Sequence, residues 1–344
     1  MSIHQRAFLL LSGEHPTLPY AEVRSLLRSE GISYPEEVKD DQVLVLPWES
    51  RLAELLGARA ALVMEGGRLL ACADHSQEAL RRACGSIDWG FLEGKRFGVR
   101  VTRIKRYWTD ADLQLLERRI GDSIPTCLGA KVDLKSPEVW VRGVISARGI
   151  YLFMSEFKTE RGTFFRRRPK TRPYFHPGVL EPKLSRTFVN LSSVRGGELF
   201  VDPFCGTGGF IIEAAMMGIK SVGIDLDLRM VRGALMNARF YGLDCDILHG
   251  DATELPLARA DGIATDPPYG RGSSTKGERV EDLLRGLMRG AREILRKGGR
   301  VCFAAPSEVR PSLVAEREGL QVLEEHMMRV HKSLTRAIVI AESG

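Results

Sequence analysis

The spacing of apolar and polar positions changes character along this 344-residue chain. In residues 1–50, AFLLLSG predicts a strand, LPYAEVRSLLRSEG a helix ending at Gly31, and QVLVLPW another strand, which together make a small α+β unit. In residues 51–157, RLAELLGARAALVME and QEALRRACG carry helical periodicity, and RFGVRVTRI reads as a strand. The helix DADLQLLERRIGDSI follows, and VWVRGVIS with GIYLFMSE forms an expected hairpin. Residues 158–182 are rich in Pro, Arg and aromatics and read as a linker.

From residue 183 onward, strands and helices alternate. GELFVD, SVGID, CDILHG, DGIATD and RVCFAA are the strands. The helices between them are GFIIEAAMMG, LRMVRGALMNARFYG, RVEDLLRGLMRGAREILRKGG and EVRPSLVAEREG. This rhythm calls for an α/β fold with a parallel, doubly wound sheet. QVLEEHMMRV and TRAIVIA follow with no helix between them and predict an antiparallel hairpin at one edge. Such an ending is typical of methyltransferase sheets rather than of dinucleotide dehydrogenases.

Composition adds bounds. Hydrophobic residues make up 44% and charged residues 27%, an ordinary globular balance, and the length favours two or three domains. No apolar stretch approaches the length of a membrane span, and the first apolar run reads as a strand rather than a signal peptide. Six cysteines are scattered singly without a CxxC pair or metal-ligand spacing, so reduced thiols and a cytoplasmic location are expected, and no metal site is. Asparagine occurs only as Asn190 and Asn237, a scarcity that fits a hot environment and decides nothing about function.

The net charge of +6 is modest, but its distribution is not. KTERGTFFRRRPKTR holds seven Lys or Arg against Glu160 alone. A solvated face would explain such a run, but the interleaved aromatics Phe164 and Phe165 favour a nucleic acid. Arg166, Arg167, Arg168, Lys170 and Arg172 are the candidate phosphate contacts there. Arg103 and Lys105 are a second group, beside Tyr107 and Trp108.

Ligands of doubly wound sheets sit at the carboxyl ends of the strands. The first such end is VDPFCGTGGF, where Gly206 and Gly208 let the backbone approach a ligand and the next helix offers N–H groups to an anion. Asp202, with Phe204 beside it, precedes the glycines. An acid there suits the ammonium of S-adenosylmethionine and has no purpose in a dinucleotide site. At the second end Asp225 suits the ribose hydroxyls, and Leu226 could pack on the adenine. Asp227 either joins them or caps the helix starting at Leu228. At the third end Asp251 could accept from the adenine amino group with Ala252 N–H facing the ring, or it starts a turn.

The fourth end is ATDPPYG. Proline fixes φ and keeps the preceding residue extended, so Asp-Pro-Pro is a stiff corner. It aims the Asp266 carboxylate and the Pro267 carbonyl, and Tyr269 presents an aromatic face. A flat substrate with an exocyclic NH₂ fits this set: two acceptors for two N–H bonds, and a ring to stack on. The amine is a poor nucleophile because its lone pair is conjugated. Acceptors on both N–H bonds favour a pyramidal nitrogen aimed at the methyl group, and they can receive the released proton.

The C-terminal part resembles the class I amino-methyltransferases. The whole chain is similar to the archaeal tRNA (guanine-N2-)-dimethyltransferase family that modifies guanosine at position 10. The resemblance rests on RRPKTRPYFHPGVLEPKLSRTFVNLS, DPFCGTGGF, GIDLD, RMVRGALMNARFYG and DPPYGRGSSTKGE. Residues 51–157 look like a THUMP domain, notably in FGVRVTR and VDLKSPEVWVRGVI. The family implies a Rossmann-like methyltransferase sheet over 183–344, S-adenosylmethionine as methyl donor and tRNA as partner. It also implies transfer of one and then a second methyl to guanine N2. Asp266 would be the catalytic carboxylate and Tyr269 the stacking ring, with His176 and Pro177 near the cofactor. The N-terminal unit and THUMP domain would hold the acceptor end of tRNA as a ruler, and an activating protein subunit is compatible with the sequence. DPPY also occurs in DNA adenine-N6 methyltransferases, and NPPY in glutamine methyltransferases of proteins, but neither needs the first 157 residues. A non-catalytic RNA-binding protein would not need four intact strand ends, and a guanine-N2 enzyme for another tRNA position is the nearest rival.

Overall fold

A computed structural model describes residues 5–33, 37–268, 280–331 and 334–344. Two compact units are present: Met1–Tyr20, Ser33–Gly57 and Val63–Thr159 form the first, and Ala21–Ile32, Ala58–Leu62 and Glu160–Gly344 the second.

In chain order the elements up to residue 158 are β1 (Arg6–Leu11), α1 (Leu18–Ser29), β2 (Val38–Asp40), β3 (Val43–Pro47), α2 (Leu52–Arg59), β4 (Val63–Ala73) and α3 (Gln77–Gly85). They continue with β5 (Arg96–Arg103), α4 (Leu113–Asp122), β6 (Lys131–Val132), β7 (Val139–Ser146) and β8 (Gly149–Lys158). Among the described residues these strands form one sheet of eight, ordered β2-β3-β1-β4-β8-β7-β5-β6. The strands of residues 1–50 and those of 51–157 therefore share a sheet. The expected hairpin is the antiparallel β7–β8 pair, from Ser146↔Gly149 to Trp140↔Ser155. Leu80, Leu116, Ile120, Val141 and Leu152 are buried in one apolar cluster. Phe8, Val45 and Phe153 are buried in another, with the Phe8 and Phe153 rings stacked 4.3 Å apart.

One expectation fails here. The helix read over 51–65 stops at Arg59, and Val63 begins the longest strand of this sheet. The reason lies at Gly66-Gly67: a Cβ at Gly67 would lie 1.9 Å from the Met154 carbonyl oxygen of the neighbouring strand. Close strand pairing, with β-branched Val63 leading in, overrides the helical spacing of the alanines and leucines.

The second unit continues with α5 (Arg161–Arg166), α6 (Pro182–Leu191), β9 (Leu199–Asp202), α7 (Gly209–Met216), β10 (Lys220–Asp225), α8 (Leu228–Phe240), β11 (Asp246–His249) and β12 (Ala260–Thr265). Then come α9 (Val280–Ile294), β13 (Leu295–Pro306), α10 (Pro311–Arg317), β14 (Gln321–His331) and β15 (Leu334–Glu342). Among the described residues seven strands are ordered β11-β10-β9-β12-β13-β15-β14. β9 to β13 are parallel; β15 is antiparallel to both β13 and β14. This is the doubly wound sheet with the expected edge hairpin. α9 shows how the sequence drives packing: Leu283, Leu284, Leu287, Met288, Ala291 and Ile294 recur at helical spacing, and all are buried. Leu284, Leu287, Met288, Ala291 and Ile294 join Val201, Ile263, Val301 and Phe303 in the core.

The segment read as a linker contains α5 and a short 3-10 turn at Pro169–Thr171. α6, which periodicity did not reveal, follows it. Its Ser185, Arg186, Thr187 and Asn190 are buried alongside Phe188, Val189 and Leu191, so its interior surface mixes polar and apolar side chains. Asn190 Nδ2 donates to Glu22 Oε1 at 2.8 Å and to the Arg59 carbonyl at 3.0 Å. Glu22 is 0% exposed and accepts from Ala61 N at 2.9 Å and Leu62 N at 2.7 Å. Burial raises the carboxyl pKa of Glu22, and these hydrogen bonds oppose the rise. Residues from the first 62 positions are thus part of the second unit's interior.

Candidate active site

The topology sets three carboxylates side by side. β10, β9 and β12 are neighbours, and they end at Asp225, at Asp202 and just before Asp266. Asp202 is 1% exposed. Its Oδ1 accepts from Thr265 Oγ1 at 2.8 Å and from Phe204 N at 3.2 Å. No described residue donates to Oδ2. Burial above all, then the charges of Asp225 and Asp266, push its pKa up to about 8 against the two hydrogen bonds. A buried acid in that state gains stability as a carboxylate only when a cation is placed beside it.

The glycine loop is built for close approach. Gly206 and Gly208 have φ of +50° and +84°, which side-chain-bearing residues adopt only with strain. Asp225 Oδ2 accepts from Gly206 N at 2.8 Å, and Asp225 Oδ1 accepts from Asp227 N at 2.9 Å. Burial raises the pKa of Asp225, and these two N–H bonds counter it. The same carboxylate therefore ties the loop after β9 to the end of β10. Of the two roles open to Asp227, the helix cap is the one observed: it accepts from Arg229 N at 2.8 Å. The Arg229 side chain holds its pKa down to about 2.

Around this centre Phe204 is half-buried, Ala252 is buried, and Leu226 is 48% exposed, an apolar side chain beside polar strand ends. Asp251 Oδ1 accepts from Thr253 N at 2.9 Å and Thr253 Oγ1 at 2.8 Å, so it does start a turn. His176 and Pro177 are exposed, and the His176 charge acts on Asp227. Pro267 is buried, and Asp266 is mostly so. Tyr269 lies outside the described residues.

Two residues that sequence reasoning passed over organise the site. Asn237 is 0% exposed; its Oδ1 accepts from Tyr174 N at 2.9 Å. Its Nδ2 donates to the Tyr174 carbonyl at 2.9 Å and the Thr207 carbonyl at 3.0 Å. One amide thus fastens both the segment leading to His176 and the glycine loop to α8. The signal was present, since both asparagines of the chain are buried backbone clamps. The second residue is Arg336, whose Nη2 lies 3.3 Å from Asp266 Oδ2.

The basic residues divide. Arg166, Arg168 and Lys170 are exposed, and Arg168 stacks over the exposed Phe165 ring at 4.4 Å. Arg167 and Arg172 do not face solvent. Arg167 makes two 2.9 Å bonds to the fully buried Glu213, which also takes Arg186 Nε at 2.9 Å, and both guanidiniums lie over Phe164. Arg172 is 5% exposed. In the first unit Arg103 Nη2 donates to the Trp108 and Ala111 carbonyls, both at 2.8 Å, and Lys105 pairs with Asp41 at 2.8 Å. Arg167, Arg172 and Arg103 are occupied within the protein because each has an internal acceptor or a buried position, whereas Lys105 pairs with Asp41 at the surface and keeps 60% of its side chain exposed. Trp108 and Tyr107 are likewise engaged, Trp108 stacked on His75 at 5.7 Å and Tyr107 bonded to Asp41 at 3.0 Å.

Among the described residues, no group of His, Cys, Asp and Glu could hold a metal ion, and no helix is long and apolar enough to cross a membrane.

Known proteins give this arrangement a context. Residues 169–338 match an RMKL-like methyltransferase domain, and residues 74–155 match a THUMP domain. The chain is 40% identical to the tRNA (guanine(10)-N2)-dimethyltransferase of Methanothermobacter thermautotrophicus, over 97% of this chain and 98% of that one. It is 32% identical to the enzyme of the same name from Methanocaldococcus jannaschii, over 96% and 97%. Its fold is that of TrmN from Thermus thermophilus, with a TM-score of 0.54, 24% identity, and coverage of 98% and 99%. With a likeness that extends over nearly the full length of both chains, the chain belongs to the tRNA (guanine(10)-N2)-dimethyltransferase family.

Proposed function

We propose that this protein methylates the exocyclic N2 of guanosine 10 in tRNA, adding one methyl group and then a second, with S-adenosylmethionine as donor. The observation that carries the reading is the juxtaposition of the Asp202 carboxylate and the Asp266-Pro267 corner at adjacent strand ends, joined through Thr265.

In this reading Asp202 faces the cofactor's ammonium, and the Gly206–Gly208 loop and α7 N-terminus face its carboxylate. Asp225 takes the ribose hydroxyls. Leu226 and Ala252 flank the adenine, and Asp251 accepts from its amino group. Phe204, His176 and Pro177 complete the rim. When bound, S-adenosylmethionine supplies an electrophilic methyl on a sulfonium.

The chain's own work is on the guanine. The base leaves its stack at a cost of roughly a few kcal/mol and enters beside the corner. Asp266 and the Pro267 carbonyl accept the two N–H bonds, orient the nitrogen lone pair, and provide a destination for the released proton. Tyr269 is proposed as the stacking ring. Arg166, Arg168 and Lys170 follow phosphates, and the THUMP-containing unit holds the acceptor end of tRNA. A cytoplasmic location suits this work, and all six cysteines are free thiols.

The test is Asp266→Ala on unmodified tRNA. Binding of tRNA should persist while methyl transfer is lost; turnover at the wild-type rate would overturn the reading.

A further inference from the structure

Asp266 shares its corner with a cation from the far side of a strand. Arg336 Nη2 lies 3.3 Å from Asp266 Oδ2, and the two side chains are 9% and 15% exposed. β13 stands between β12 and β15, so the guanidinium crosses a whole strand to reach the carboxylate.

The register shows how it does so. Thr265 lies beside Phe303, and Pro306 lies beside Arg336. Continued by one residue, the first pairing sets Asp266 beside Ala304. Ala304 and Pro306 are two apart on one strand and share a face of the sheet. Asp266 and Arg336 therefore belong to that same face, and Ala304 between them offers only a methyl group. Strand direction matters equally. Because β15 runs antiparallel to β13, its first residues reach the edge where the parallel strands end. A parallel strand there would have brought its last residues.

Stability gives little reason for this pair. A buried ion pair is often no better for folding than apolar residues of the same volume. β15 is otherwise filled with buried Ala337, Ile338, Val339, Ile340 and Ala341. A guanidinium, in contrast, is a fixed fork of donors that suits the task of holding a carboxylate in one orientation.

We infer that Arg336 is a positioning residue for methyl transfer: its guanidinium beside Asp266 Oδ2 fixes the orientation of the carboxylate that accepts an N–H of the guanine amine. The inference rests on the role proposed above for Asp266. Arg336 touches neither the amine nor the methyl group. A guanidinium stays protonated and has no acceptor, so it takes no part in removing the amine's proton.

The experiment is a double-mutant cycle on full-length protein with unmodified tRNA, reading kcat and KM separately. Arg336→Met should lower kcat by about 100-fold, the scale of a mispositioned reacting group. KM for tRNA and for S-adenosylmethionine should stay near the wild-type values. Arg336→Lys should recover part of the rate. In an Asp266→Asn background, Arg336→Met should cost little more, because the group it positions has been removed. Wild-type kcat in folded Arg336→Met would overturn the inference, as would a full additive loss on top of Asp266→Asn. Should thermal melting show Arg336→Met unfolded, the same cycle with Arg336→Lys decides: a wild-type kcat with Asp266 intact, or a full additive loss on top of Asp266→Asn, overturns the inference. Wild-type protein that methylates no guanine N2 would instead refute the underlying function.

Discussion

Thr265 Oγ1 donates a 2.8 Å hydrogen bond to Asp202 Oδ1. Thr265 is 0% exposed and immediately precedes the Asp-Pro-Pro corner. The carboxylate assigned to the cofactor and the corner assigned to the base are therefore braced against each other. Parallel pairing of Ile263 with Val201 two residues earlier fixes the spacing of the two strand ends. A change at either end is felt at the other.

The state of Asp202 gives a pH-dependent prediction. Its pKa is raised from the ordinary 3.8 to about 8 by burial. The folded state therefore favours the neutral acid. That contribution to stability is complete below pH 3.8 and is lost as pH rises through about 8. Cofactor-free protein should lose on the order of a few kcal/mol between these limits. Asp202→Asn should show a flatter profile of melting temperature over the same window, and should not bind S-adenosylmethionine. Binding by the wild type at pH 7 should release roughly one proton as the carboxyl ionises against the ammonium. Calorimetry in buffers of different ionisation enthalpy measures that proton; zero release would contradict the assignment.

The arginine run should split into two behaviours. Arg167→Ala leaves Glu213 buried with half its pairing and should cost roughly 3–5 kcal/mol of stability. Arg166→Ala, Arg168→Ala and Lys170→Ala should leave the melting temperature within about a degree or two, consistent with surface substitutions. Each should weaken tRNA binding and reduce the salt slope of log K by about 0.7–0.9 for every phosphate contact removed. Denaturant melts and filter binding across a salt series separate the two classes.

Truncation should be more damaging than a modular reading suggests. A fragment of residues 158–344 lacks Glu22, Arg59, Ala61 and Leu62, which satisfy or cover Asn190 in the second unit's interior. An exposed Asn190 and uncovered α6 should leave the fragment poorly folded, with broad melting and weak S-adenosylmethionine binding. A cooperative melt at the wild-type temperature would contradict this.

The strand ends were readable because each chemical residue closes an apolar run and starts a turn. Asp202, Asp225 and Asp266 all do so, and the unbroken β14–β15 pair announced the edge hairpin. What stayed hidden depends on partners far along the chain. Arg167 looks identical to Arg166 and Arg168 in sequence, and only Glu213, 46 residues away, makes it internal. Arg336 opens an apolar strand, where a charge normally reads as a solvent-facing end, and its partner is 70 residues earlier. α6 escaped periodicity because its buried residues mix Phe188, Val189 and Leu191 with Ser185, Arg186, Thr187 and Asn190, which leaves no simple apolar stripe. The rarity of asparagine was visible, but its meaning required seeing both copies clamp backbone.

The most direct test of the central claim is nucleoside mass spectrometry of unmodified tRNA incubated with this protein and S-adenosylmethionine, followed by nuclease mapping of the modified fragment. The predicted result is N2-methylguanosine that converts to N2,N2-dimethylguanosine, confined to position 10. Methyl groups on adenine N6, on guanosine at another position, or on no nucleoside at all would contradict the account.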